Sequence, residues 1–253
     1  MSIAERDIMS GLAKGLSVIE TFTAQKPRQS ITEVAEASGL DRATARRCLL
    51  TLAHQGYADY DGKFFALTPK VLRLGTACLA SMALPHIVQP SLDQLSEKLN
   101  ESSSVSILDG TEVVYIARAA QQKVMSIALM PGSRLPAYCT SMGRVMLAAL
   151  PEADALALLE KAPLIPRTSF TKTDIPALMK ELESIRAQGF ATIDQEVELG
   201  LRSIAVPLVN MRGQTVAALN VGLSTSHASL QDLQSRILPA LLALQQELKS
   251  MIR

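Results

Sequence analysis

Residues 30–57 read SITEVAEASGLDRATARRCLLTLAHQGY, and this stretch spells out its own helix boundaries. Ser30 followed at the third residue by Glu33 makes a capping box, in which each side chain satisfies a free backbone donor of the other. Ile31, Val34 and Ala35 then share one face at helical spacing, and Gly39 supplies a left-handed residue that ends the helix at little steric cost. Asp41 restarts the chain as an N-cap, and Ala45, Cys48, Leu49 and Leu52 recur at i, i+3, i+4 and i+7. The opposite side carries Arg42, Thr44, Arg46 and Arg47. A short helix, a glycine turn and a second helix with one apolar and one arginine-rich face form the helix-turn-helix pattern, whose second helix enters the DNA major groove. The alternative for such a pair is a helical hairpin with a solvated polar face.

The flanking residues favour the first reading. Tyr57 to Leu67 predicts two short strands around an Asp61-Gly62 turn, the wing of a winged helix, with Lys63 at its tip facing a phosphate. Upstream, a helix from Ser10 or Gly11 to about Phe22 offers Leu12, Leu16 and Ile19 to the core, and residues 25–29 form a loop in which Arg28 also faces the DNA backbone. Thr68-Pro69 reads as an N-cap with proline at the first helical position. Residues 1–68 are thus a DNA-binding domain, 69–85 a linker helix and 86–253 a second domain. Val71, Leu74, Cys78, Leu79 and Met82 make the linker apolar enough to pack against a second copy of itself.

Composition bounds the rest. The 253 residues, 48% hydrophobic and 19% charged, suit a globular protein of two domains. No apolar run reaches the roughly 18 residues that cross a bilayer, and no signal peptide opens the chain, so the expected place is the cytoplasm, away from membranes. Three widely spaced cysteines, Cys48, Cys78 and Cys139, and scattered histidines offer neither a disulfide framework nor metal-ligand spacing, so no cofactor or metal is expected. The net charge of +1 is not that of a protein coated in nucleic acid, and residues 1–68 carry eight basic and eight acidic side chains. A modest local patch suits a dimer that sums two half-site contacts.

In the second domain a helix over 91–100 precedes a change to period two. Strands are predicted at 104–108, 113–117, 124–130, 190–194, 202–208 and 215–223, with 131–136 a loop. Helices are predicted at 141–150, 152–160 and from a Thr173 cap to Gln188, followed by a final helix over about 230–252 kinked at Pro239. The fold class is α+β: a winged helix-turn-helix, a linker helix and an α/β domain with helices on a sheet.

Four segments, SITEVAEASGLDRATARRCLLTLAHQGY, PGSRLPAYCTSMGRVMLAAL, GFATIDQEVELGLRSIAVPL and GQTVAALNVG, resemble in order and spacing the signature segments of the IclR family of bacterial transcriptional regulators. The opening ERDIMSGLAKGLSVIETF and the segment DRATARRCLLTL look most like its Pca/Pob branch, regulators of aromatic acid breakdown through the β-ketoadipate pathway. The resemblance implies a GAF-like effector-binding domain, a double-stranded operator as partner, and a homodimer or dimer of dimers.

Ser141 opens a helix after a strand and loop, so its first backbone N–H groups are free and attract a carboxylate. The resemblance implies the same, with a small organic acid on the amides of Ser141 and Met142. It also implies pocket positions at Asp194 or its neighbour Ile193, then Leu201, Ser203, Asn220 and Gly222, with Val124, Ile127 and Leu135 as apolar walls. Ile193 stands where some relatives place an acid, Ser203 where some place a cysteine, and Gly222 where some place a hydroxyl. These departures suit an aromatic ring better than a two- or three-carbon acid. Arg202 and Glu196 also read as a pair at the sheet edge. The rival function is an enzyme acting on a small carboxylic acid, with the N-terminal head used for assembly. It needs a base from Asp194, Glu196 or Glu198 without a partnered acid, and Cys139 reads as a small buried hydrophobe rather than a nucleophile.

Overall fold

A computed structural model describes residues 4–121 and 129–252. It separates into two compact units, Met1–Ser81 and Met82–Arg253. In the first, α1 (Ser10–Glu20), α2 (Ile31–Ser38) and α3 (Arg42–His54) surround a core of Val18, Val34, Ala35, Ala45, Leu49, Ala58 and Phe65. The caps form as the sequence predicts. The Ser30 N–H donates to Glu33 Oε2 at 2.7 Å, and Asp41 Oδ1 accepts from the Thr44 N–H at 2.9 Å. Backbone and side-chain hydrogen bonds from Ser30 hold the Glu33 carboxyl below the usual range. Gly39 ends α2 at a φ of 68°, where a Cβ would add strain.

The wing differs in detail from its prediction. Strands β2 (Ala58–Tyr60) and β3 (Phe65–Leu67) pair antiparallel, and β1 (Arg28–Gln29), predicted as loop, adds a third strand on the far side of β3. Two residues are too short for periodicity to reveal a strand. The Asp61 N–H donates to the Phe64 carbonyl at 3.2 Å, which puts Gly62-Lys63 at the tip, one residue beyond the expected turn. Asp61 instead closes the loop with its side chain, accepting from the Lys63 and Phe64 N–H groups. A 3-10 turn over Pro69–Val71 follows, then α4 (Leu72–Ser81), which ends earlier than the predicted linker helix.

In the second unit α5 spans Ala83–Leu99, so the helix predicted over 91–100 begins eight residues earlier. Pro85 occupies the first turn, whose N–H groups have no helical acceptor anyway, and Pro90 is exposed beside an exposed His86 carbonyl that loses its donor. The strands β4 (Ser102–Asp109), β5 (Glu112–Ala119), β6 (Arg134–Pro136), β7 (Ala191–Asp194), β8 (Leu201–Val209) and β9 (Thr215–Ser224) make one antiparallel sheet in the order β6-β5-β4-β9-β8-β7. Strand β6 lies in the predicted 131–136 loop; its proline is tolerated because β6 is an edge. The strand predicted at 124–130 falls mostly outside the described residues.

Three layers result. On one face of the sheet, α5 packs with α9 (Leu230–Asp232), a π-helical turn over Leu233–Ile237 and α10 (Leu238–Lys249). The predicted kink at Pro239 takes the form of that π turn, directly before the helix that contains the proline. On the other face lie α6 (Ser141–Ala148), α7 (Glu152–Lys161) and α8 (Ile175–Gln188). No single helix among the described residues is long and apolar enough to cross a membrane.

Gly143 fixes how closely α6 sits on the 3-10 turn before it, Ala137–Cys139. A Cβ on Gly143 would lie 2.2 Å from the Ala137 carbonyl oxygen and 2.3 Å from its Cα, both backbone atoms that cannot swing aside. Gly143→Ala is therefore expected to destabilise the second unit by about 1–3 kcal/mol or more through overpacking, read as a lower midpoint in urea denaturation. An unchanged midpoint would contradict the close approach.

Candidate functional site

Two surfaces carry chemistry. On α3, Arg42, Arg46 and Arg47 are exposed on one side together with Ala43 and Leu50. Thr44 stands at the edge of that side. It is half-buried on the flank next to α1, beside Arg47 but about 160° around the helix from Arg46. At the wing, the Arg28 and Lys63 cations stand 4.8 and 5.0 Å from the centre of the Phe64 ring. Arg28 also forms an exposed ion pair with Asp61, so its charge is partly spent within the wing. Nearby, Lys70 lies over the Tyr57 ring at 4.8 Å and donates to the Gln55 carbonyl.

The second surface is interior. Between the sheet and α6 lies a cavity of about 30 Å³, room for roughly one or two waters. The register aligns its sheet wall in rows: Arg118, Ser104 and Asn220 are lateral neighbours, and so are Ser102, Gly222 and Ser203. The α6 wall is Ser141 and Met142, and Leu135, Val197 and Leu201 add apolar surface. Thr140 caps α6: its Oγ1 accepts from the Gly143 N–H at 3.1 Å and donates to the Pro136 carbonyl at 3.0 Å. The Ser141 and Met142 N–H groups have no acceptor among the described residues, and the buried Ser141 Oγ has no partner either. These donors sit at the positive end of the helix dipole, an arrangement that takes an anion.

Arg144, one turn along, holds α6 in place. It is fully buried, and its Nη1 and Nη2 donate to the two Glu196 carboxylate oxygens at 2.8 and 2.5 Å. Nη1 also meets Glu181 of α8, and Nε donates to the Tyr138 carbonyl at 2.7 Å. Glu196 accepts in addition from the Lys172 N–H at 2.9 Å, while the Lys172 ammonium pairs with Glu181. Every nitrogen of this buried cation is thus satisfied.

Comparison with known proteins matches this architecture at both ends. Residues 11–62 match the IclR helix-turn-helix domain, and residues 76–249 match the bacterial transcriptional regulator IclR C-terminal domain. The chain belongs to the IclR family. It is similar to the Pca regulon regulatory protein of Pseudomonas putida, 44% identical over 96% of this chain and 84% of that protein. A solved transcriptional regulator from Rhodococcus sp. RHA1 is 44% identical, covers 96% of this chain and 97% of its own, and superposes with a TM-score of 0.79. The inducer-binding domain of PobR from Acinetobacter, solved as a double mutant with 3-hydroxybenzoic acid, is 32% identical with a TM-score of 0.64 over 68% of this chain and 100% of its own.

Of the pocket positions that the IclR resemblance implies, Leu135, Ser141, Met142, Leu201, Ser203, Asn220 and Gly222 line the one cavity. Val124 and Ile127 lie outside the described residues. Asp194 does not line the cavity: Arg202 Nε donates to its Oδ1 at 2.7 Å, and it faces a separate cleft at the sheet edge beside Phe170, Lys172 and Leu230. Ile193 is buried between, also outside the lining. The expected Arg202–Glu196 pair is likewise replaced, by Arg202–Asp194 and Arg144–Glu196. Cross-strand register explains the first pair, since Arg202 stands directly opposite Asp194 on β8.

Sequence reading missed Ser102, Ser104, Tyr115, Arg118, Thr140 and Val197. The Ser102-Ser103-Ser104 run, unusual in a central strand, was the available signal for the first two. Cys139 is buried, and burial pushes its thiol up to about 11. At about pH 8 its alkylation by iodoacetamide is expected to be negligible in the native protein and fast after unfolding, as followed by mass spectrometry. Comparable rates in both states would make it an accessible thiol.

Proposed function

We propose that this IclR-family chain is a ligand-responsive cytoplasmic regulator of an operon for aromatic acid breakdown. It grips double-stranded operator DNA with α3 and the wing, as a homodimer or dimer of dimers, and senses a small aromatic or dicarboxylic acid in the second unit. The observation that carries the reading is the cavity at the α6 N-terminus, where unpaired donors and apolar walls converge. The Pca and PobR relatives, one of them solved with a hydroxybenzoic acid, point the same way.

On the DNA side, Arg42, Arg46 and Arg47 enter the major groove, while Arg28 and Lys63 hold the phosphate backbone. The domain that does this spans residues 1–68, and residues 69–85 join it to the effector domain of 86–253. Within one chain α4 buries none of its residues, and Leu72 and Leu74 are 69% and 52% exposed, which supports pairing with a second copy there. On the effector side a ring-sized acid exceeds the cavity as it stands, so binding displaces lining side chains, with unbranched Met142 the most adaptable. Gly222 leaves space for a ring: a Cβ there would meet nothing nearer than 3.9 Å. An enzymatic role gains nothing from Asp194 and Glu196, because both carboxylates are engaged by arginines.

Calorimetric titration with protocatechuate, 4-hydroxybenzoate, 3-oxoadipate and glyoxylate tests the effector class, and binding of glyoxylate alone would refute it. For the DNA face, Arg46→Ala is expected to weaken binding to the DNA beside the protein's own gene by about 1–3 kcal/mol in mobility-shift assays while leaving acid affinity intact. Equal losses in both measurements would contradict two separable modules.

A further inference from the structure

Among the described residues that line the cavity one is a cation, Arg118, and strand alternation alone would have turned it away. Along β5, Val113 and Tyr115 face α6, so strict period two would send residue 118 to the opposite side. Instead the pairing with β4 slips: Val105 stands opposite Ala117, but Ser106 stands opposite Tyr115. Ile116 is the extra residue, and both Ile116 and Ala117 are packed in the core on the far face. This bulge brings Tyr115 and Arg118 to the same side, where both line the cavity.

Arg118 is held but not neutralised. Its Nη1 donates to Ser104 Oγ at 3.0 Å, and its Gln89-bonded backbone carbonyl ties the strand to α5. Its Nε is buried without an acceptor, and among the described residues it forms no ion pair. Ser141 Oγ, in a residue 1% exposed on the α6 wall of the same cavity, is also without a partner. A guanidinium edge and a helix N-terminus thus border one enclosed space with no described carboxylate between them. Arg144, four hydrogen-bonded contacts deep in the same unit, shows how a structural arginine is satisfied here.

We propose that Arg118 is the residue that makes the pocket selective for anions: its free Nε edge takes the effector's carboxylate, which the α6 N-terminus and Ser141 meet from the other wall. The inference rests on the effector reading above and adds to it a side chain with full charge. A planar guanidinium fits a carboxylate with two parallel hydrogen bonds, which the amides of α6 alone cannot supply. The same charge, when it has no anion beside it, is a cost to the fold. Function and stability therefore pull in opposite directions at this position.

That opposition is the test. Wild-type protein and Arg118→Met are titrated calorimetrically with 4-hydroxybenzoate, with protocatechuate and with 4-hydroxybenzamide, and both are melted without ligand. The wild type is expected to prefer the acids to the amide, and Arg118→Met to lose about 10- to 100-fold in acid affinity with little change for the amide. Without ligand, Arg118→Met is expected to melt higher than the wild type, and Arg118→Lys to recover part of the acid preference. An acid preference that survives in Arg118→Met overturns the inference while leaving the effector reading intact. A lower melting temperature for Arg118→Met also overturns it, by making the cation structural. Wild-type protein that binds neither acid removes the effector reading and this inference together.

Discussion

The burial of Arg144 is the constraint on which the second unit turns. Taking a guanidinium out of water costs several kcal/mol, and only pairing at every nitrogen returns it. Glu196 comes from the segment between β7 and β8, Glu181 from α8, and the Tyr138 carbonyl from the turn before α6. Satisfying one side chain therefore fixes three pieces of chain around α6. Gly143, next to it, lets the helix press on the Ala137 backbone. The outcome is a helix whose N-terminal turn is held still while its first two N–H groups stay unpaired. Pre-arranged donors of this kind bind an anion without first losing the freedom that a loop would.

Arg144 within α6 and Arg118 on the cavity wall facing it are a controlled contrast within one fold. Both lie against the same helix layer, and both are removed from bulk water to a large extent. Burial lowers the Arg118 pKa, opposed only by the neighbouring Tyr115, whose own hydroxyl burial pushes up to about 12. Arg144 is surrounded by two carboxylates and a carbonyl. A structural charge is one the protein satisfies by itself; a recognition charge is left for the ligand to satisfy.

How much of this could be read in the residues depends on the range of the interactions involved. Helix caps act within four residues, so Ser30 and the left-handed Gly39 announced both ends of α2 and Asp41 the start of α3, whereas α8 is capped by Asp174 rather than the expected Thr173. Strands with alternating or unbroken apolar character were equally readable. What escaped was set by partners distant in sequence. The Arg118 orientation comes from a bulge that exists only in the β4–β5 pairing, and the Asp194–Arg202 and Arg144–Glu196 pairs are choices of register and packing that charge type alone leaves open. Helix α5 starts before the predicted 91–100 because a proline ends a helix only where its lost hydrogen bond matters, and at exposed Pro90 it matters little. The family resemblance placed most of the cavity's lining, yet it also carried over Asp194, which this chain uses in a cross-strand ion pair.

The same register bears on how an acid in the cavity is connected to the rest of the chain. Strands β4 and β5 present Ser104 and Arg118 to the cavity on one face and lean on α5 with the other. The contacts to α5 are hydrogen bonds as well as packing: Gln89 Nε2 donates to the Arg118 carbonyl at 3.0 Å, Ser103 Oγ to the Leu92 carbonyl at 3.1 Å, and Ser96 Oγ to the Ala119 carbonyl at 3.4 Å. Helix α5 begins at Ala83, immediately after the first unit ends at Ser81. Equal affinity for two arrangements shifts neither, so the acid acts on DNA binding only through a contact that differs between them. The Arg118 backbone is hydrogen-bonded directly to that helix, and its side chain is the charged part of the described cavity wall.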